Sequence, residues 1–442
     1  MSAVLKSGAS ALADAAAGLL KAAKQAGADV AEVVLYDGAS VSVQRRLGKT
    51  EETERAETRE IGLRVFIGQA SASVSASSID HAAFTRLAEQ AVAMARVVPE
   101  DPYAEIPEAP APLDAAFLDL DDPIEPEMDI LIARAAAAEQ AALGVPGITN
   151  SEGASASWSR SKSIIATSRG FIGEYARSYH GISVTAIAGA GVDMQRDYDS
   201  SSAIHGADLD DPVQLGRNAA SRALARMNPR RPATSRLPIL FDPRVAGSFL
   251  GHLSGAISGG SIARGTSFLK DSLGHAIFGP GITIIDDPLR IRGRRSRPFD
   301  REGQPVKPTN FIEDGVLTSW ILDTRSANQL GLKTTGHAGG LSNFYLSAGV
   351  LSPAALMADI SEGLYVTEMI GMGVNGLTGD YSRGAAGFMI RNGVLAEPVA
   401  EFTIAGNLKD MFLHLSPAND LEFKRGTDAP TLRIEGMTLA GA

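Results

Sequence analysis

The 442-residue chain contains no cysteine and no long hydrophobic run. Without cysteine it can form neither disulfides nor thiolate ligands, so any zinc would need histidine, aspartate or glutamate. No apolar run approaches the roughly 20 residues that cross a bilayer. The Ala-rich N-terminus carries charged residues, unlike the uncharged core of a signal peptide. These absences predict a cytoplasmic protein that does not associate with a membrane.

The chain also lacks an excess of positive charge. Its 41 basic and 51 acidic residues give a net charge of −10. Binding to a phosphate backbone needs concentrated lysine and arginine, so the composition argues against direct nucleic-acid contact. The proportions of hydrophobic and charged residues, 44% and 21%, are those of an ordinary globular protein. The length allows two or three domains, each with its own core.

No two histidines have the spacing of a metal-binding helix. A zinc-binding helix of the common type presents two histidines on one face, with a glutamate that activates the metal-bound water. Here no two histidines lie three to five residues apart, and each alone is more typical of a structural role. The residues therefore predict neither a catalytic nor a metal-binding residue in this chain. The histidines are His81, His180, His205, His252, His275, His337 and His414.

The predicted elements indicate an α+β fold in which one layout occurs twice. Residues 1–98 form the first unit: a helix, a meander of strands, and a second helix that Asp80 caps. Residues 127–228 repeat this order, and we expect the two α/β-meander/α units to pack into one domain. In the first unit strands are predicted at 30–36, 41–47, 62–66 and 70–76; in the second they lie at 154–159, 162–168, 170–178 and 181–190.

Two further segments complete the predicted organisation. Residues 99–126 contain seven prolines and form an extended connector. Residues 235–442 form a C-terminal β-rich domain with a core helix. That helix should begin at Asp242-Pro243, with Asp242 as the cap and Pro243 in the first turn, where the N–H that proline lacks is not needed.

The stretch from 371 to 410 is the most informative part of the chain. It opens with a Gly-rich sequence, GMGVNGLTGDYSRG, which predicts an irregular loop with close backbone approach. Asn392-Gly393 between two apolar runs then predicts a hairpin. GMGVNG formally satisfies a dinucleotide fingerprint, but no helix follows it, so nucleotide binding is not predicted.

These motifs resemble the TldD/PmbA family, bacterial and archaeal proteins associated with a zinc-dependent peptidase. The resemblance covers most of the chain and includes the pattern between 299 and 338. The blocks Ser382-Arg383-Gly384 and 404–410 (IAGNLKD) resemble the PmbA branch, also called TldE.

The zinc motif of the family's metallopeptidase branch is absent here. That branch has a helix with His-Glu-x-x-x-His, then Arg-Gly-Thr-Ser, and a later cysteine before Pro-Thr-Leu. This chain keeps 264–267 (RGTS) and 430–432 (PTL), but Leu250, Gly251 and Gly255 occupy the ligand and base positions. The resemblance thus implies no zinc in this chain and zinc in a partner subunit.

The resemblance implies the non-zinc subunit of a heterodimeric metallopeptidase with a TldD-like partner. Such a complex would remove leader sequences from ribosomally made peptide toxins and degrade an unfolded antitoxin. This chain would form half of an enclosed chamber and help to hold an unfolded peptide. Older descriptions tie the family to modulation of DNA gyrase, and the acidic charge of this chain makes that link indirect.

Asn375, Asp380 and Arg383 are the candidate peptide-binding residues. They are hypothesised to line an exposed strand edge, where extended peptides bind through main-chain hydrogen bonds. Alternatively, Asp380 and Arg383 only hold a turn through hydrogen bonds and an ion pair.

Two other functions stay open. The chain is a homodimeric peptide-binding or scaffold protein without a peptidase partner, or a stand-alone hydrolase that uses Asp286-Asp287. The latter pair precedes Pro288, a context more typical of a turn.

Overall fold

A computed structural model describes residues 9–77 and 80–441. Its N-terminal half contains two units of the same order, a helix, a strand meander and a second helix, as the sequence predicts, but each meander has three strands where four are predicted. The first unit is α1 (Ala9–Ala26), β1 (Val30–Arg46), β2 (Lys49–Ile67), β3 (Ala70–Ala76) and α2 (His81–Ala95). The second is α3 (Met128–Leu143), β4 (Ile148–Thr167), β5 (Ile172–Ala188), β6 (Gln195–Ala203) and α4 (Pro212–Ala225).

The two units share one antiparallel six-stranded sheet in the order β3-β2-β1-β4-β5-β6. Pairing of β1 with β4 joins them, from Glu32 opposite Thr167 to Arg45 opposite Ala154. The predicted packing of the two units into one α+β domain is therefore confirmed at the level of the sheet.

All four helices of this half cover the same face of the sheet. Val33 and Leu35 of β1 pack with α1 and α2, and Val41 and Val43 pack with α3 and α4. Because side chains alternate along a strand, these odd-numbered residues point to one face. The opposite face carries Tyr36 and many serines, among them Ser40, Ser42, Ser155, Ser157, Ser159, Ser161, Ser163 and Ser183.

The strands are longer than the sequence predicts. The sequence predicts residues 30–36 and 41–47 as separate strands, but they form one strand, β1. Gly38 is paired on both sides, with Thr58 of β2 and Ser161 of β4. The Tyr36 ring lies over it, so that a Cβ on Gly38 would stand 2.8 Å from the Tyr36 hydroxyl. The predicted breaks within β4 and β5 are wrong for the same reason, since both strands are continuously paired.

The proline-rich residues 99–126 contain one short 3₁₀ turn, Ala115–Leu118, and no strand. They run from the first unit to the second while contacting the C-terminal half. Asp101 forms an ion pair with Arg325 at 2.6 Å, and Asp119 forms one with Arg292 at 2.6 Å.

The C-terminal half is rich in short strands, as predicted, and contains two sheets. One has the order β10-β9-β8-β11-β16. The other has the order β14-β13-β12-β7-β17-β15, and an additional pairing of β14 with β17 closes five of its strands into a ring. The elements are β7 (Ser235–Phe241), α5 (Pro243–Ala256), α6 (Gly259–Ala263), β8 (Ile284–Asp286), β9 (Thr309–Glu313), β10 (Val316–Leu317), α7 (Thr324–Leu330), β11 (Phe344–Leu346), α8 (Pro353–Met357), β12 (Glu362–Ile370), β13 (Asp380–Arg391), β14 (Val394–Asn407), α9 (Leu408–Leu413), β15 (Leu415–Pro417), β16 (Thr427–Asp428) and β17 (Leu432–Ala440).

The predicted core helix is α5, and it begins where the sequence indicates. Asp242 caps it by accepting a hydrogen bond from the Arg244 amide, with Pro243 in the first turn. Its buried stripe, which includes Phe249 and Leu253, packs in the main C-terminal core. The Asn392-Gly393 hairpin is also confirmed: both residues have positive φ, 49° and 81°, as a tight hairpin turn requires. Among residues 9–77 and 80–441, no helix has the length and apolarity needed to cross a bilayer.

Candidate functional site

The candidate site lies where α5 meets the Gly-rich loop before β13. The ligand positions that the resemblance points to differ in their orientation on α5. Leu250 is 3% exposed and belongs to the core, whereas Gly251 and Gly255 are exposed. A Cβ added at either glycine would meet no atom within 4 Å. One turn of the helix therefore presents bare backbone to open space.

His252 is the one imidazole on this helix, and it stands against the aromatic core. Its ring makes edge-on contacts with Tyr381 at 5.9 Å and with Phe249 at 6.5 Å between centroids. Its Nε2 is buried and has no hydrogen-bond partner in the described chain. Burial, with a smaller contribution from the Arg383 charge, lowers the pKa of His252. The ring is thus neutral at physiological pH and has a free nitrogen.

Arg383 completes this small cluster without an acidic partner. Its Nε is also buried and unpartnered within residues 9–77 and 80–441. The Tyr381 hydroxyl donates to the Met369 sulfur at 3.0 Å. Burial raises the pKa of Tyr381, although the Arg383 charge acts against it. We call His252, Tyr381 and Arg383 the α5 cluster. It offers a hydrogen-bond donor on Arg383 and, on His252, an imidazole nitrogen that is unpartnered within the described residues.

The donor set does not fit a zinc ion. A site of this family's kind requires several histidine, cysteine or carboxylate ligands around one point. In the described residues no three such side chains come together in a way that could hold a metal. His252 alone supplies one nitrogen, and the nearby residues Leu250, Gly251 and Gly255 supply none.

The Gly-rich loop folds back onto β13 and occupies its edge. The Ser382 amide donates to the Gly373 carbonyl at 2.7 Å, and the Asn375 amide donates to the Asp380 carbonyl at 2.9 Å. Glycine is required at 373, because a Cβ there would lie 2.0 Å from the Ser382 carbonyl oxygen. The strand edge hypothesised to bind an extended peptide is therefore already paired here.

Asp380 holds the turn through hydrogen bonds, and no ion pair with Arg383 exists. Its carboxylate accepts from the Thr378 hydroxyl at 2.6 Å and from the Asn407 amide at 3.0 Å. These two hydrogen bonds lower the pKa of Asp380. Asn375 acts similarly, with its side-chain oxygen accepting from the Leu377 amide at 2.9 Å. The hydrogen bonds expected of Asp380 are confirmed, whereas the ion pair expected between Asp380 and Arg383 is wrong.

Two of the three candidate peptide-binding residues line one recess. Asn375 and Asp380 line an open recess of about 710 Å³ together with Thr266, Met372 and Ser382. Arg383 is not among the lining residues of this recess, although Tyr381, which points to the same side of β13 as Arg383, is one of them. The His252–Tyr381 contact could not be identified from the sequence, where His252 appears isolated.

The Asp286-Asp287 pair has a structural position. Asp286 is 0% exposed, accepts from the Ser342 amide at 2.7 Å and lies 3.3 Å from His337 Nε2. Asp287 accepts from the Leu289 amide at 3.0 Å, as in the predicted turn. A fully enclosed carboxylate cannot reach a substrate, so this geometry gives no support to a hydrolase that uses these residues.

Family models match almost the whole chain in three consecutive parts. They are described as PmbA/TldA metallopeptidase domain 1, central domain and C-terminal domain, and they match residues 31–95, 121–227 and 234–441. The chain is 38% identical to the Metalloprotease PmbA of Escherichia coli O157:H7 over 416 residues, which is 93% of this chain and 92% of the relative. This chain belongs to the TldD/PmbA family. Within the family it belongs to the PmbA branch.

Solved structures of TldD/PmbA type share this fold. A Bacteroides thetaiotaomicron protein described as a candidate modulator of DNA gyrase matches with a TM-score of 0.89 and 24% identity, over 97% of this chain and 99% of that one. TldE from Thermococcus kodakarensis matches with a TM-score of 0.85 and 19% identity, over 97% of this chain and 100% of that one. At these identities the two structures establish the architecture alone.

Proposed function

We propose that this chain is the non-zinc subunit of a heterodimeric cytoplasmic metallopeptidase whose zinc belongs to a TldD-like partner. The observation that supports this proposal is that α5 has no metal-binding side chain at the positions of the family's zinc ligands. Leu250 lies in the core, and Gly251 and Gly255 have no side chain, so no lone pair is available at the ligand positions. The chain also has no cysteine to act as the later ligand. Water activation and bond cleavage are then tasks of the partner chain.

The proposed substrates of the complex are unfolded peptides, in leader-peptide removal or antitoxin degradation. The recess supports this role because its apolar rim is exposed. Met372 is 87% and Leu377 is 61% exposed, and exposed apolar groups in a cluster are typical of interaction surfaces. Asn375 and Asp380 line the same recess, and a peptide carbonyl near α5 would accept a hydrogen bond from Arg383. In this arrangement side chains contact the peptide, since the edge of β13 is already paired.

The test is to isolate the native complex through a tag on this chain. We expect a TldD-like protein to co-purify, with zinc in the complex and none in the isolated chain. Unfolded peptides should be cleaved by the mixture and not by this chain alone. Stoichiometric zinc together with cleavage by the isolated chain would overturn the proposal. A homodimer that binds peptides and recruits no partner would favour the scaffold alternative.

A further inference from the structure

A second cavity lies between the helix-free face of the six-stranded sheet and the C-terminal half. Its volume is about 850 Å³, and it shares no lining residue with the recess at the Gly-rich loop. One wall is aromatic: the rings of Tyr175 and Phe299, which both line the cavity, pack edge-on with their centroids 5.6 Å apart. Its basic lining consists of Arg177, Arg295, Arg297 and Arg301. We call this space the arginine cavity.

Arg177 and Arg297 are held in place by backbone carbonyls rather than by acids. Arg177 donates to the Arg294 carbonyl at 2.9 Å and also to the Ser296 carbonyl. Arg297 donates to the Ala338 carbonyl at 3.3 Å and also to the Gly340 carbonyl. The Nε of each is buried and has no partner in the described chain. Carbonyl groups orient a guanidinium but carry no net charge to balance it.

This arrangement is electrostatically incomplete, above all at Arg177. None of the four arginines forms an ion pair within 4 Å of a carboxylate oxygen in residues 9–77 and 80–441. Burial lowers the pKa of both Arg177 and Arg297. The charge of Arg297 adds to the effect at Arg177, whereas the charges of Asp286 and Asp300 act against burial at Arg297. An arginine stays protonated in proteins, so the cost of burying these charges is best offset by an anion.

The acidic residues of the cavity are engaged or lie at its other end. The Asp300 carboxylate already accepts from the amides of Glu302, Gln304 and Ala338, at 2.8, 2.9 and 2.9 Å. Glu60 is paired across the sheet with Tyr36, which is followed by Ser163 and Tyr175 on the next strands. Three strand spacings separate Glu60 from Tyr175 by roughly 14 Å.

The charge of the cavity lining therefore changes sign from one end to the other. Glu32 and Glu60 stand on β1 and β2 at one end, and Arg177 stands on β5 at the other. Aromatic rings lie between these ends. An extended peptide with an acidic group has matching chemistry: a carboxylate for the arginines and apolar side chains for the rings.

We infer that the arginine cavity binds the carboxylate of an acidic residue in an extended peptide. The inference rests on the proposed function, because it assigns a preference for acidic residues to the peptides that the complex receives. Arg177 and Arg297 contact the carboxylate, and Arg301 adds charge at the cavity mouth.

The test measures peptide binding to the isolated full-length chain by calorimetry. The probes are a short acetylated, amidated peptide with one glutamate between phenylalanines, and its glutamine counterpart. We expect the glutamate peptide to bind about tenfold more tightly, as one charge-assisted contact gives. Equal affinity of the two peptides would overturn the inference. Binding of inorganic phosphate but of neither peptide would also overturn it, since the site would then serve small anions.

Single substitutions show which arginines cause the preference for the glutamate peptide. Arg177→Gln and Arg297→Gln should each abolish the preference for glutamate. Arg301→Gln should reduce it severalfold, and its folding should be unaffected because its guanidinium forms no hydrogen bond within the described chain. Arg169→Gln, at an exposed arginine, is the matched control and should bind like the original chain. Full preference in both Arg297→Gln and Arg301→Gln would contradict the inference.

The same variants separate this inference from the proposed function. Cleavage by the complex that persists without any glutamate preference would refute the inference and leave the proposed function intact. Preferential binding of the glutamate peptide by a chain that recruits no zinc-bearing partner would refute the proposed function and leave the inference intact.

Discussion

Two clusters of buried charge in this protein differ in how completely they are paired. The first joins the second N-terminal unit to the C-terminal half: Asp197 contacts Arg244 at 2.6 Å and Arg226 at 3.3 Å, and Arg226 also contacts Glu368. Asp242 and Asp197 offset the effect of burial and raise the pKa of Arg244. The second, the α5 cluster, leaves nitrogens of His252 and Arg383 without partners in the described chain.

Completeness of pairing separates structural from functional polar groups in this fold. A buried charge with every partner in place stabilises an interface between domains, and its removal destabilises the protein. A buried polar group without a partner costs free energy unless a ligand completes it. Such groups are therefore the better candidates for binding. Substitutions within each cluster test this distinction.

Asp197→Ala should destabilise the protein by about 3–5 kcal/mol, because it leaves two buried guanidinium groups without their shared carboxylate. The measurement is urea unfolding followed by circular dichroism. The control is Arg222→Ala, which breaks a more exposed pair with Asp199 at 2.9 Å and should cost less than about 1 kcal/mol. Similar losses of unfolding free energy in both variants would show that the completeness of pairing does not determine how much an ion pair stabilises the protein.

Glu302 should make the stability dependent on pH. Burial raises the pKa of Glu302 to about 7, while hydrogen bonds from Thr324 act in the opposite direction. The folded state therefore holds this proton more tightly than the unfolded state, whose pKa is near 4.5. The resulting stability is complete below pH 4.5 and is lost as the pH rises through 7, a fall of about 3 kcal/mol.

Glu302→Gln tests this dependence, since glutamine keeps the acceptor for Thr324 and does not ionise. The variant should lack most of the fall between pH 5 and pH 8, measured by thermal unfolding across that range. An unchanged pH profile would assign the fall to other groups.

Arg383→Ala should reduce partner-dependent peptide cleavage by roughly ten- to a hundredfold in kcat/KM, as expected for the loss of a charged donor to substrate. Its own stability should change little, since Arg383 forms no ion pair in residues 9–77 and 80–441. Arg86→Ala, at an exposed position on α2, serves as the control. Cleavage equal to that of the control would leave Arg383 with a structural role only.

The smallest effect is expected for His252→Phe. Phenylalanine preserves the edge-on contacts with Phe249 and Tyr381 and removes a nitrogen, Nε2, that has no partner within the described chain. Unfolding should shift by less than about 1 kcal/mol. A loss of several kcal/mol would mean that the imidazole makes a contact in solution that completes the α5 cluster.

Part of the fold follows from local signals in the sequence. The helix start at Asp242-Pro243 and the turn at Asn392-Gly393 each depend on a few neighbouring residues, and both occur where predicted. The full length of β1 could not be predicted locally, because a glycine that follows an aspartate, as Gly38 does, is typical of a turn. In the folded chain its neighbours on β2 and β4 supply hydrogen bonds, and the Tyr36 ring fills the space beside it.

Some features of the candidate site also follow from local sequence, and others depend on tertiary packing. The sequence determined which donors exist at all: no cysteine, and Leu250, Gly251 and Gly255 on the core helix. It also determined the caps and turns, because these depend on contacts within a few residues. Three contacts follow from the packing of distant segments: the Gly-rich loop covers the edge of β13, His252 contacts Tyr381, and Arg177 and Arg297 line one cavity. Those contacts join residues distant along the chain, so they depend on how whole sheets and helices pack together.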